Sequence, residues 1–71
     1  MKLEPKEMYD EPEVTDYTIG SSTYRRIDYS PYLTTVYIKT HVNPKFIPIK
    51  DFFGETAWSS AQRYCYDMIT N

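Results

Sequence analysis

The chain has 71 residues and a net charge of −2, and 41% of its residues are hydrophobic. A chain of this length forms one small domain and is too short for a dinucleotide-binding array or a large enclosed active site. Tyrosine is the unusual residue, with 8 occurrences, about three times its ordinary usage. Because tyrosine combines a large apolar ring with a hydroxyl group, it is favoured on surfaces that become buried on binding. The composition therefore indicates a binding interface.

The sequence also argues against secreted and membrane-bound classes of protein. Its single cysteine, Cys65, cannot form an intramolecular disulfide, and no apolar leader is recognisable, so we expect a cytoplasmic location. Apolar stretches are far shorter than the roughly twenty residues that span a bilayer, so no membrane partner is expected.

The N-terminal segment 1–16 differs from the rest of the chain in charge. It has six acidic residues and two lysines, a net charge of −4, whereas residues 17–71 have six basic and four acidic residues, a net charge of +2. Few residues of the segment are apolar, so burial cannot offset the entropy lost on ordering it. We expect a flexible acidic arm at 1–16 and a single small domain at 17–71. Alternatively, residues 14–19, which include the end of this arm, join the edge of a sheet.

Two segments in the middle of the chain have the alternating pattern of half-buried strands, at 23–29 and at 33–42. Pro31 lies between them and predicts a reversal of the chain. The alternation of the second strand predicts a core face made of Thr34, Val36, Ile38, Thr40 and Val42.

A third, short strand is predicted at 46–49, after a turn at Asn43 and Pro44. Its residues Ile47 and Ile49 are expected to point into the core. Pro48 lacks a backbone donor, which places this strand at a sheet edge or at a bulge.

The C-terminal segment 56–70 changes to the helical period, with Thr56 as the predicted N-cap. Its apolar stripe consists of Ala57, Ala61, Tyr64, Cys65, Met68 and Ile69. Trp58 and the pair Phe52 and Phe53 are expected at the end of the core, or else as an extension of the binding surface. The predicted fold class is α+β: a small antiparallel β-meander of three strands, or four, packed on one C-terminal helix.

One helix covers only one face of such a sheet, which leaves the other face for binding. Aromatic and cationic residues of the predicted hairpin are expected there, and these residue types dominate binding hot spots. The predicted partner-binding residues are Tyr24, Arg26, Tyr29, Tyr32, Tyr37, Lys39 and His41.

No group of residues predicts catalysis. The lone His41 and the lone Cys65 are expected on opposite sides of the sheet, so they cannot form a nucleophile–base pair. One cysteine and one histidine are too few for a zinc site, and no glycine-rich phosphate loop is present. We therefore expect a non-enzymatic protein with no catalytic residue, metal or cofactor.

Two functional hypotheses follow. The first is a small protein-binding protein that inhibits or modulates a larger machine, such as a nucleic-acid-binding complex, in the manner of phage effectors that block host or defence functions. The acidic arm would steer it toward a basic groove. The alternative is a single-stranded nucleic-acid-binding module that uses the same tyrosines, although its cationic charge is small for phosphate binding. Homodimer pairing through a sheet edge is a further expectation. No motif is specific enough to assign a family.

Overall fold

A four-stranded antiparallel sheet and one helix account for most of residues 8–70, the part of the chain described by the computed structural model. The elements are β1 (Glu13–Ile19), β2 (Ser22–Ser30), β3 (Leu33–Lys39), β4 (Ile47–Phe53) and α1 (Ala57–Thr70). The strands are arranged in the order β1-β2-β3-β4, and α1 packs across one face and contacts all four. The predicted α+β meander with a C-terminal helix is confirmed, in its four-stranded form.

Two-residue turns connect the first three strands. Gly20 and Ser21 link β1 to β2, and Pro31 and Tyr32 link β2 to β3, which confirms the predicted reversal. Gly20 has a φ of 58°, in the left-handed region that tight hairpin turns require and that glycine adopts without a Cβ clash.

Strand β1 includes residues that the sequence analysis assigned to the arm. It begins at Glu13, so residues 13–16 belong to the sheet, and the arm prediction is wrong there. The alternative, that 14–19 joins a sheet edge, is confirmed. Polar partners on β2 explain the difference, because Asp16 and Thr15 both bind arginine side chains of that strand. The first seven residues of the predicted arm lie outside the described residues.

Strand β3 ends earlier than the alternation suggests. It stops at Lys39, and Val42 is 79% exposed, so the predicted core position of Val42 is wrong. The oxygen Oγ1 of Thr40 accepts a hydrogen bond from the backbone N of Asn43, at 3.1 Å. Such side-chain bonds to the backbone compete with the sheet ladder, and a loop at 40–46 follows.

Strand β4 is an edge strand with an irregular register. Val36 pairs with Lys50 and Tyr37 with Pro48, so Ile49 has no partner in the ladder. This confirms the prediction that Pro48 marks an edge or bulge. Ile47 and Ile49 are 42% and 41% exposed, so the prediction that both point into the core is wrong. Ile47 pairs with Ile38 on the side of the helix but is not buried there, and Ile49 lies at the bulge. The bulge changes the phase of the strand, and Phe52 packs against the core instead.

The core between the sheet and α1 is small. Val36, Ala61 and Cys65 are fully buried. Tyr17, Tyr24, Phe52 and Tyr64 pack around them. The helix begins at Ala57, and the carbonyl of Thr56 accepts a hydrogen bond from the backbone N of Ser60, at 2.9 Å, as expected of an N-cap residue. The predicted stripe is buried at its alanines and cysteine, whereas Met68, near the C-terminus of the helix, is 39% exposed.

Candidate protein-binding site

The sheet face opposite α1 is not covered by any other helix or strand of residues 8–70. We call it the outer face. The strand register brings polar and aromatic side chains from all four strands onto it. They include Asp16, Arg25, Tyr29, Thr35, Tyr37, Lys39 and Asp51, with Ile27 between them.

Two tyrosines form the first cluster on the outer face. The hydroxyl groups of Tyr29 and Tyr37 form a hydrogen bond with each other. They reach toward each other over the ladder pair of Ile27 and Thr35, and Thr35 is accordingly only 6% exposed. Burial, together with the hydrogen bond from Tyr29, raises the pKa of Tyr37 to about 12. The pair is therefore a fixed, partly desolvated patch rather than two freely rotating side chains.

A ring flanked by two cations forms the second cluster. The guanidinium carbon of Arg25 lies 3.9 Å from the centroid of the Phe46 ring, and Nζ of Lys39 lies 5.0 Å from it. Arg25 also donates from Nε and Nη2 to the two carboxylate oxygens of Asp16, at 2.8 and 3.0 Å. The hydrogen bond to Arg25 lowers the pKa of Asp16, and partial burial of the carboxyl group raises it by a smaller amount. The bidentate pair and the ring hold Arg25 in one orientation.

Three of the predicted partner-binding residues, Tyr29, Tyr37 and Lys39, lie on the outer face as expected. Tyr32 lies in the turn between β2 and β3 and is 36% exposed. His41 lies in the loop after β3, with its Nδ1 at 3.1 Å from Oγ of Ser21, so its predicted place on the sheet face is wrong.

Tyr24 and Arg26 lie on the helix-covered face, so their predicted outward position is also wrong. The register pairs Arg26 with Val36 and Tyr24 with Ile38, and directly paired residues share a face. Tyr24 packs against the core cluster, and Arg26 is 7% exposed. Buried charges need partners, and the neighbouring strands supply them for Arg26.

Arg26 is the centre of a buried polar network. Its Nη2 lies 3.4 Å from Oδ2 of Asp28 and donates to Oγ1 of Thr15 at 3.2 Å, while Nη1 donates to the hydroxyl of Tyr17, also at 3.2 Å. Asp28, likewise 7% exposed, accepts from Oγ1 of Thr34 at 2.9 Å. The Nε atom of Arg26 is buried and has no hydrogen-bond partner among the described residues.

The sequence analysis did not identify Arg25 or Phe46 as site residues. The sequence does contain a signal for Arg25. Residues four apart in a strand share a face, so the expected outward position of Tyr29 implies that Arg25 also points outward. Tyr24 and Tyr29 are five apart, so a regular strand cannot present both on one face. For Phe46 no comparable signal exists, since the loop conformation places its ring over the sheet.

A cleft lies beside this network, at the end of the sheet near the start of α1. It has a volume of about 520 Å³. It is lined by Tyr9, Glu11, Glu13, Arg26, Asp28, Ser30, Pro31 and Trp58. The backbone N of Tyr9 donates to the carbonyl of Tyr29 at 2.7 Å, which holds the segment before β1 against β2. We call this cleft the acidic cleft, because three of its lining side chains are carboxylic acids.

Cys65 and His41 are not brought together. Cys65 is fully buried on the sheet-facing side of α1, and burial raises the pKa of its thiol to about 11. The thiol is therefore protonated at neutral pH. Within residues 8–70, no three side chains of His, Cys, Asp or Glu are grouped to hold a metal ion. The same residues include no helix that is long and apolar enough to cross a membrane.

The fold and surface define an α+β protein with a four-stranded meander, one C-terminal helix, and an aromatic and cationic sheet face. Comparison of the chain with protein-family models, with curated proteins and with solved structures finds no match. Functional assignment therefore rests on the surface chemistry of the chain itself.

Proposed function

We propose that the protein is a small protein-binding module whose outer face contacts a larger protein partner. The observation that carries the proposal is the presence of two ordered clusters on one uncovered sheet face. These are the hydrogen-bonded pair Tyr29 and Tyr37, and the Phe46 ring between Arg25 and Lys39. Tyrosine and arginine are the residue types most enriched in the hot spots of protein interfaces.

The order of these side chains supports binding. A side chain that is immobilised only on binding costs about 0.5–1.5 kcal/mol of rotamer entropy. Arg25 is already fixed by Asp16 and by the Phe46 ring, and the two tyrosines are fixed by each other. Little of that cost then remains when a partner is bound.

The proposed effect on the partner is inhibition or modulation of a cytoplasmic machine that binds nucleic acid. The chain is acidic overall, with a net charge of −2, and six of its acids lie within the first 16 residues. An acidic protein of this kind competes with nucleic acid for a basic groove, and its charge steers the encounter. We propose the role of a small effector of the type that phages direct against host or defence machinery.

The contacts of the two arginines favour a protein partner over single-stranded nucleic acid. Phosphate binding depends on cations that are available to neutralise the backbone. Arg26 is buried beside Asp28, and the guanidinium of Arg25 is bound to both oxygens of Asp16. Among the cations of the outer face, Lys39 is then the main candidate for a phosphate contact.

The two sheet edges differ in their suitability for homodimer pairing. The edge strand β4 contains Pro48 and a register irregularity, and both features oppose the addition of another strand. Strand β1 pairs regularly with β2 along its whole length, from Glu13 to Ile19. We therefore propose the outer edge of β1 as the site of homodimer pairing.

Comparative affinity capture from the native cytoplasm tests the proposal. The baits are the unmodified chain, Tyr37→Ala, Phe46→Ala, and the control Arg63→Ala on the exposed side of α1. We expect a protein that the unmodified chain and Arg63→Ala retain and that both outer-face variants lose, with all baits folded by circular dichroism. Equal retention by every bait would contradict the proposed face. Binding of a labelled single-stranded oligonucleotide at low salt would favour the alternative function.

A further inference from the structure

We propose that the acidic cleft binds the cationic side chain of an arginine or lysine that a polypeptide partner presents. The cleft is separate from the outer face, and it is tested without knowledge of the partner. The inference rests on the proposed function only in that a protein partner supplies the side chain.

The charge of the cleft selects a cation. Its lining includes the carboxylic acids of Glu11, Glu13 and Asp28, and one basic residue, Arg26. The guanidinium of Arg26 is 7% exposed and lies within 3.4 Å of Asp28, so these two charges offset each other. Glu11 and Glu13 then remain as two negative charges, and both residues are exposed. An anionic ligand would have to approach against them.

The aromatic lining selects an organic cation over a metal ion. Trp58 and Tyr9 both line the cleft and are 51% and 45% exposed. Ammonium and guanidinium groups are attracted to the faces of such rings, and tryptophan gives the strongest attraction. Metal ions need a group of closely spaced ligands, and the residues the structure describes contain no such group of three.

The volume of the cleft and the unpaired Nε atom of Arg26 fit a ligand that includes both a side chain and the peptide group next to it. A volume of about 520 Å³ is within the range of ligand-binding clefts and admits a long side chain with an adjoining peptide group. Arg26 lines the same cleft, and its Nε atom is buried without a hydrogen-bond partner among the described residues. Such donors in native proteins call for an acceptor, and the carbonyl of a bound peptide is one.

Titration of the isolated full-length chain with N-acetyl-arginine amide tests the inference. Trp58 is the sole tryptophan, so its indole N–H gives one resolved signal in a proton–nitrogen NMR spectrum. We expect a saturable shift of this signal at millimolar probe concentration and none with N-acetyl-citrulline amide, which has nearly the same shape without the charge. N-acetyl-lysine amide, with its free side-chain ammonium, is expected to act like the arginine probe.

Two variants locate the effect. The double variant Glu11→Gln, Glu13→Gln is expected to weaken binding by about tenfold or more, and added salt is expected to weaken it further. The control Asp67→Asn removes an exposed acid on α1 that does not line the cleft, and it is expected to bind like the unmodified chain. The inference is overturned if the arginine probe produces no saturable shift, if the citrulline probe produces the same shift, or if the double variant binds unchanged. None of these results bears on the outer face.

Discussion

The hydroxyl groups of Tyr29 and Tyr37 are hydrogen-bonded to each other across β2 and β3, on the sheet face that α1 leaves uncovered. This bond joins two of the eight tyrosines of the chain and places both rings beside Thr35, a residue that is nearly inaccessible although it faces away from the helix. The outer face is therefore a partly ordered aromatic surface, and its order has measurable consequences.

The first consequence concerns the ionisation of Tyr37. Burial and the bond to Tyr29 raise its pKa to about 12. Absorbance titration is expected to show a tyrosine that ionises about two units above the ordinary value of about 10, and Tyr37→Phe is expected to abolish that transition. Tyr29→Phe removes the partner hydroxyl and is expected to lower the pKa of Tyr37, whereas the control Tyr32→Phe leaves it unchanged. If Tyr37→Phe keeps the transition at about pH 12 and loses amplitude only at about pH 10, the pair does not form in solution.

The same shift predicts how stability depends on alkaline pH. Because the pKa of Tyr37 is higher in the folded chain, its contribution is fully present below about pH 10, the ordinary tyrosine value. That contribution is lost as the pH rises toward about 12. Urea unfolding of the unmodified chain at rising pH is expected to show this loss, and Tyr37→Phe is expected to show less of it. Parallel curves for the two proteins would contradict the prediction.

The buried pair of Arg26 and Asp28 predicts a strong effect of single substitutions. Asp28→Ala leaves the guanidinium buried without its charge partner, which typically costs about 3–5 kcal/mol of unfolding free energy. The double variant Arg26→Met, Asp28→Leu removes both charges and is expected to unfold at a higher urea concentration than Asp28→Ala. Asp67→Ala, at an exposed helix position, is expected to change the unfolding free energy by less than about 0.5 kcal/mol. Equal stability of Asp28→Ala and Asp67→Ala would refute the burial of this pair.

The buried thiol predicts slow chemical modification. Cys65 is fully buried and its pKa is raised to about 11, so little thiolate exists near neutral pH. Ellman's reagent is expected to label the native chain much more slowly than the urea-unfolded chain. A matched control is Ser59→Cys in a Cys65→Ser background, where the thiol lies on an exposed helix position and reacts at once. Fast labelling of native Cys65 would show that α1 does not pack as described.

The local elements of this fold are predictable from sequence, because their signals are local. The sequence predicts the helix from its period, the reversal at Pro31 and the edge position of Pro48, and the structure confirms each of them. These features depend on neighbouring residues and on the backbone limits of proline.

The orientation of β2 is not predictable from its sequence. Both faces of this strand contain polar residues, so no apolar pattern indicates which face is buried. Arg26 is turned inward because Asp28, Thr15 and Tyr17 supply partners for its guanidinium, and two of these lie on another strand. Pairing between strands decides the result, and a single-strand pattern does not contain that information. The acidic cleft is likewise not predictable from a local pattern, because its lining residues come from segments far apart in the chain.

Site-specific photo-cross-linking tests the central proposal, a partner on the outer face, most directly. The photoreactive residue p-benzoylphenylalanine replaces Lys39 on the outer face or, as a control, Arg63 on the exposed side of α1. After irradiation in the native cytoplasm, a protein adduct is expected from position 39 and not from position 63. Its yield is expected to fall when Phe46→Ala is added, because truncation of an interface hot spot typically costs about 2 kcal/mol of binding. An adduct from position 63 alone, or an adduct from position 39 that Phe46→Ala leaves unchanged, would contradict the account.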